Sequence, residues 1–211
     1  MNQAKTENYG WHTAAPPHTE AYIHDHILRL VREAGARTVL DAGCGNGALC
    51  AELARAGYDV VGIDGDEQGI TLARKTTQSI RFEVGQFDKL PPVTSGSADG
   101  LFDFVVSTEV VEHLYAPHQL AEYCFAALRP GGTLAISTPY HGYLKNLALS
   151  IINGWDSHHT TGWYGGHIQF FSNKSLKSML IMAGFEITGF IGAGRFPYLW
   201  KSMIVIARKP L

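Results

Sequence analysis

The chain has 211 residues, 45% hydrophobic and 17% charged, enough apolar material to close a core without disulfide or metal staples. Its 17 basic and 19 acidic residues leave a net charge of -2, so there is no long-range field to gather nucleic acid or an anionic membrane, and a small-molecule partner is favoured. Cys44, Cys50 and Cys124 form no CxxC pair, the first residues are polar, and no window is apolar for long enough to span a bilayer. These features argue against a zinc cluster and a disulfide framework, and neither export nor a bilayer-spanning segment is expected; the cytoplasm is the expected location.

Residues 1–19 are rich in Pro, His and small side chains and read as an N-terminal arm. From Glu20 to Ala34, the residues Tyr22, Ile23, Ile27, Leu30 and Val31 recur at helical spacing, and Gly35 follows as a stop. The chain then alternates between short continuous apolar runs and helical patterns. Strands are predicted at Thr38–Asp41, Asp59–Asp64, Ile80–Val84, Phe102–Thr108 and Thr133–Thr138, and helices at Gly47–Ala56, Glu67–Lys75 and Gln119–Leu128. Runs of this kind belong to a parallel sheet covered by helices on both faces.

Beyond Tyr140 the alternation lapses, and residues 140–171 read as an insertion over the site. Its stretch Leu144 to Trp155 has the pattern of an amphipathic lid, a lipid-surface helix being the alternative, and the His- and Gly-rich Ser157 to Gly166 follows. A helix at Lys174–Ala183, a strand at Phe185–Phe190, a turn at Gly192-Ala193-Gly194 and a strand at Ser202–Ala207 complete the pattern. Two consecutive strands with no helix between them predict an antiparallel last strand. The expectation is one α/β domain over residues 1–211, with a doubly wound seven-stranded sheet, mostly parallel, and a small lid.

Strand, glycines, helix is how an open α/β sheet builds a nucleotide site at the carboxyl ends of its strands. Here it is Val39-Leu40-Asp41-Ala42-Gly43-Cys44-Gly45-Asn46-Gly47. Read literally, Gly43-x-Gly45-x-x-Ala48 also satisfies the dinucleotide fingerprint, with Asp64 placed 19 residues beyond Gly45 for a ribose. Charge separates the readings. A pyrophosphate is anionic, whereas Asp41 beside the loop and Glu109 just after the Phe102–Thr108 strand present carboxylates at neighbouring strand ends, which suits a cation. The bland alternative is a tight turn with Asp64 as a helix cap and Phe87 as core.

That loop, followed in order by Val61-Gly62-Ile63-Asp64, Phe102-Asp103-Phe104-Val105-Val106-Ser107 and Leu128-Arg129-Pro130-Gly131-Gly132-Thr133-Leu134, resembles the class I S-adenosylmethionine (SAM)-dependent methyltransferases over about residues 20 to 210. The resemblance implies a Rossmann-like fold and SAM as methyl donor. It places Asp41, Gly43 and Gly45 around the methionine end, Asp64 on the ribose hydroxyls, and Gln86 and Phe87 beside the adenine, with Cys44, Asn46, Gly47 and Glu109 also expected to bind the cofactor. Gln86 stands where many relatives have Asp, and its amide carbonyl can still accept from the adenine amino group. Pro130-Gly131-Gly132 reads as a turn.

If a helical turn opens after Thr108, Glu109, Glu112 and His113 share one face that points into the site. Two carboxylates and an imidazole suit a divalent cation such as magnesium, manganese or zinc, which would lower the pKa of a bound hydroxyl. Thr108-Glu109-Val110-Val111-Glu112-His113 resembles the metal-binding stretch of ubiquinone-pathway O-methyltransferases and small-RNA 2′-O-methyltransferases, and Gly166-His167-Ile168-Gln169-Phe170-Phe171 resembles the place of a further His there. The metal set implied is Glu109, Glu112, His113 and His167. Acids in a first helical turn also follow from the macrodipole alone, and without metal His113 or His167, with Glu112, becomes the base.

Tyr9, Trp11 and His24 either close over the cofactor or pack, and His158-His159 is either a loop or a ligand group. The function expected is methyl transfer from SAM to a hydroxyl of a small molecule. An NAD-dependent oxidoreductase and a non-catalytic SAM-binding module are the alternatives.

Overall fold

The structure is a computed structural model that describes residues 21–154 and 166–211. The arm at 1–19, Tyr9, Trp11 and His158-His159 lie outside the described residues. The elements are α1 (Ala21–Glu33), β1 (Thr38–Ala42), α2 (Ala48–Arg55), β2 (Asp59–Asp64), α3 (Glu67–Thr76), β3 (Arg81–Val84) and β4 (Phe102–Ser107). A 3-10 turn (Val111–His113), α4 (Pro117–Ala127), β5 (Leu128–Pro139), α5 (Tyr143–Ile151), α6 (Asn173–Met182), β6 (Glu186–Ala193) and β7 (Ser202–Arg208) follow.

The seven strands form one sheet in the order β3-β2-β1-β4-β5-β7-β6. Strands β1 to β5 pair in parallel, and β7 runs antiparallel to both β5 and β6, as the missing helix between the last two strands predicts. The strand order reverses between β1 and β4, which opens a crevice beyond their carboxyl ends. Asp41, in register with Gly62 on one side and Val106 on the other, stands at that reversal.

Alternate side chains of the central strands feed two cores, as the two-residue period requires. Val39, Phe104 and Val106 pack with Ile23, Ile27 and Val31 of α1 and with Leu49 and Leu53 of α2. Leu40, Val105 and Leu134 pack on the other face with Leu120 and Cys124 of α4 and with Leu176 and Leu180 of α6. Each such side chain contributes roughly 1.5–3 kcal/mol when fully buried. His24, on the core side of α1, is buried with Nδ1 3.1 Å from a carboxylate oxygen of Glu52 on α2, so it packs between helices.

Three local expectations change. The helix α4 begins two residues earlier than its apolar period suggests, because Pro117 takes the first helical position, where its missing N–H is no loss. Pro130-Gly131-Gly132 belongs to an irregular β5 whose register against β4 shifts between Phe102 and Phe104. Gly131 bonds Lys209 there instead of closing a free turn. Gly192 and Ala193 extend β6, and Gly192 is there for clearance, since a Cβ would come within 2.1 Å of the Trp200 indole.

Residues 140–154 contain α5, which ends at Ile151, and Trp155 lies outside the described residues. Its orientation is inverted relative to an ordinary amphipathic helix: Tyr143 and Ile151 are exposed, while Lys145 is 6% exposed and is the buried residue of the helix. Among the described residues, no helix is long and apolar enough to cross a membrane.

Candidate active site

The loop between β1 and α2 turns through three left-handed glycines, Gly43 (φ 91°), Gly45 (52°) and Gly47 (77°). At Gly43 a side chain is doubly excluded, because a Cβ would also lie 2.3 Å from Cγ2 of Val110. The amides of Gly43 and Cys44 both donate to the Ile63 carbonyl, at 2.8 and 3.0 Å. The Asp64 carboxylate accepts from the Gly45 amide at 2.8 Å and from the Asp66 amide at 2.8 Å, which ties the end of β2 to the loop. Asn46 is buried, and its Oδ1 accepts from the Ala48 amide at 3.2 Å, next to the glycine that caps α2.

Asp41 is 1% exposed. The Cys50 thiol, on the first turn of α2, donates to its Oδ2 at 3.2 Å, and Oδ1 has no partner among the described residues. Burial pushes the Asp41 carboxyl up to about 7, the Cys50 thiol opposes that rise, and the nearby Asp64 adds to it. The same burial pushes the Cys44 thiol up to about 11, so neither it nor Cys50 is a ready thiolate.

Glu109 ends the strand β4 differently from the sequence expectation. Its φ is 53°, uncommon for a residue with a side chain, so no helix starts there and it does not share a face with Glu112 and His113. Its carboxylate instead accepts from Ser137 Oγ at 2.8 Å and Ser202 Oγ at 3.2 Å, and its amide donates to Ser137 Oγ at 3.1 Å. Burial lifts the Glu109 carboxyl to about 7 against the two hydroxyls and Lys145. Lys145, whose Nζ donates to the Lys201 carbonyl at 3.4 Å, is pushed down to about 8 by burial and by Arg195, with Glu109 opposing.

Glu112, His113 and His167 do converge: each offers a ligand atom within 4.8 Å of the others. The 3-10 turn supplies the first two. His167 arrives because the amides of Ile168 and Gln169 both donate to the Glu112 carbonyl at 2.9 Å, while the Gly166 carbonyl sits 3.3 Å from His113 Nδ1. Glu112 is buried with Oε2 accepting from Thr138 Oγ1 at 3.0 Å, and the imidazoles of His113 and His167 meet edge to face at 5.0 Å. The expected four-residue metal set is thus three residues, with Glu109 turned away to its serines.

Beyond β3, Gln86 is exposed, and Phe87 is half-buried with its ring 5.2 Å from that of Tyr123. Sequence reasoning passes over Cys50, Ser137, Thr138, Lys145 and Ser202. Ser137, Thr138 and Ser202 carry a readable signal in hindsight: they lie at the end of β5 and the start of β7, the strand ends nearest the crevice.

Residues 17–189 match the family described as a methyltransferase domain. The chain belongs to that family, the SAM-dependent methyltransferases. The dinucleotide reading of the glycine loop is thereby set aside. Within the family, the chain is 31% identical over 172 residues to the ubiquinone biosynthesis O-methyltransferase of Caulobacter vibrioides, covering 76% of this chain and 66% of that one. It is 29% identical over 189 residues to the protein of the same name from Caulobacter sp. strain K31, covering 84% and 73%.

Across its curated relatives the chain spans between 46% and 73% of their length. The crystal structure of magnesium protoporphyrin IX methyltransferase from Synechocystis PCC 6803 with bound SAH superposes with a TM-score of 0.69. It has 20% identity and covers 91% of this chain and 83% of that one, a likeness of fold.

Proposed function

We propose that the chain is a single methyltransferase domain that moves the methyl group of SAM to a hydroxyl of a small molecule. The observation that carries this reading is the pair of buried acids at the reversal of strand order. Asp41 at the end of β1 and Glu109 at the end of β4 are both held near neutrality by burial, and one Asp41 oxygen is without a partner among the described residues. A cationic ligand end is what such acids lack. When bound, SAM supplies an electrophilic methyl group on a sulfonium, an excellent leaving group.

The residues of the chain then divide the work. Asp41 and Glu109 hold the ammonium of the methionine end, and the loop Gly43-Cys44-Gly45-Asn46-Gly47 lets the backbone approach it. Asp64, already fixed by two amides, keeps lone pairs for the ribose hydroxyls, and Phe87 and Gln86 flank the adenine. The helix α5 and the segment carrying His167 cover the acceptor side and exclude water.

On that side Glu112, His113 and His167 prepare the hydroxyl. One carboxylate and two imidazoles fit a divalent cation, with a borderline ion such as zinc suited better than magnesium or manganese, which prefer oxygen ligands. Such an ion would lower the pKa of the bound hydroxyl. Without one, His113 or His167 takes the proton itself, with Glu112 orienting it. The hydroxyl acceptor is supported by the relatives named as ubiquinone biosynthesis O-methyltransferases.

Calorimetric titration with SAM and with NAD, followed by transfer of a labelled methyl group to a panel of hydroxyl compounds, tests the reading. Binding of NAD and not SAM overturns it, and tight SAM binding with no labelled acceptor leaves a binding module. For the cation, the Glu112→Ala/His113→Ala variant should lose activity. Activity unchanged in that variant, with and without chelator, removes these residues from the reaction.

A further inference from the structure

Cys50 lies outside the glycine loop, yet it touches the acid at the centre of the crevice. It occupies the first turn of α2, three residues beyond Gly47, and is fully buried. Its thiol donates to Asp41 Oδ2 at 3.2 Å, while Oδ1 has no partner among the described residues. Among the described residues, the titratable groups that act on Asp41 are Cys50 from α2, Cys44 from the loop and Asp64 from β2, and β4 presents the apolar Val106 in register. Cys44 is a neutral thiol and Asp64 an acid, so the Cys50 thiol is the group in this set that favours a charged Asp41.

We propose that Cys50 is a positioning residue for capture of the methyl donor: its thiol fixes one oxygen of Asp41 and leaves the other toward the cationic end of the ligand. This rests on the assignment of Asp41 to the methionine ammonium. A carboxylate with one donor on one oxygen is fixed about its terminal torsion, whereas one with none is free to turn away. The donor also favours the ionised form that a cation needs, against the burial that disfavours it.

The test is calorimetric titration of SAM between pH 6 and 9 on the wild type and on Cys50→Ser, Cys50→Ala, Cys50→Val and Asp41→Asn. Cys50→Ala and Cys50→Val, the second filling the thiol's space without a donor, should bind SAM about 3- to 10-fold more weakly at pH 7, the worth of one hydrogen bond. Their deficit relative to the wild type at the same pH should shrink toward pH 9, as Asp41 ionises without help. Cys50→Ser keeps a donor and should retain the wild-type pH profile within about two-fold affinity.

Wild-type affinity and profile in both Cys50→Ala and Cys50→Val overturn the role of Cys50. An equal loss in Cys50→Ser, Cys50→Ala and Cys50→Val also overturns it, since packing alone would explain that. SAM binding by the wild type that ignores pH and survives Asp41→Asn defeats the Asp41 assignment instead, and no SAM binding at all defeats the proposed function.

Discussion

Asp41 and Glu109 are acids whose ordinary range lies near pH 4 and which burial in the folded chain carries to about 7. A carboxyl raised on folding binds its proton more tightly in the native state, so its contribution to stability is fully present below the unfolded value and is lost as pH rises through 7. The ligand-free protein is therefore expected to melt at a lower temperature at pH 8 than at pH 6. In Asp41→Asn that gap should narrow, because the amide cannot ionise, and the variant should bind SAM poorly at both pH values. Thermal melts of both proteins across pH 5 to 9 check this, and an unchanged gap contradicts the buried-acid account.

At this scale the glycine loop, Asp41 and Asp64 are legible in the sequence because their chemistry is local to one strand-turn-helix unit. The partners of Glu109 are not. Ser137 and Ser202 lie 28 and 93 residues away in the chain, and the left-handed backbone at Glu109 has no residue signature.

Among the elements, α5 and the segment carrying His167 depend on a few polar attachments. Lys145 anchors α5 through the Lys201 carbonyl and lies beside Glu109, an arrangement in which a buried cation docks a helix whose apolar side chains face outward. Lys145→Met should loosen α5, seen as faster amide exchange over 143–151, with exchange in β1 and α2 unchanged. Equal protection of α5 in the variant would show that other contacts hold the helix.

Thr138→Val removes the hydroxyl that donates to Glu112 Oε2 and should cost about 1–3 kcal/mol in urea unfolding, the usual penalty for leaving a buried polar group without its partner. No change in the midpoint would count against a buried, bonded Glu112. In the core, Leu176→Ala in α6 should cost roughly 2–5 kcal/mol, since the side chain is fully buried. The strands and most helices are readable from their apolar periods. Turn chemistry misleads at Gly131 and Gly192, where glycine serves a strand irregularity and clearance for Trp200, and periodicity is blind to Lys145, whose burial is set by tertiary partners.

At the scale of the whole molecule, the proposed function depends on the crevice at the strand reversal. If the crevice takes SAM, a hundred-fold excess over Kd should stabilise the fold by about 2.7 kcal/mol, readable as a rise in Tm that NAD at the same concentration does not produce.

The sheet order carries a consequence for how the crevice comes into being. Strand β7, made after β6, inserts between β5 and β6, so β6 has no sheet partner until β7 is in place. The hydrogen bonds that join the glycine loop, Asp41, Cys50 and Asp64 close within residues 41–66, short-range contacts that cost little loop-closure entropy. Glu109 acquires its Ser202 partner only when β7 docks, and Lys145 its carbonyl only when residue 201 arrives beside it. The two buried acids of the crevice are therefore secured over very different lengths of chain: the Asp41 bond to Cys50 closes over 9 residues, whereas the Glu109 bond to Ser202 waits for the last strand.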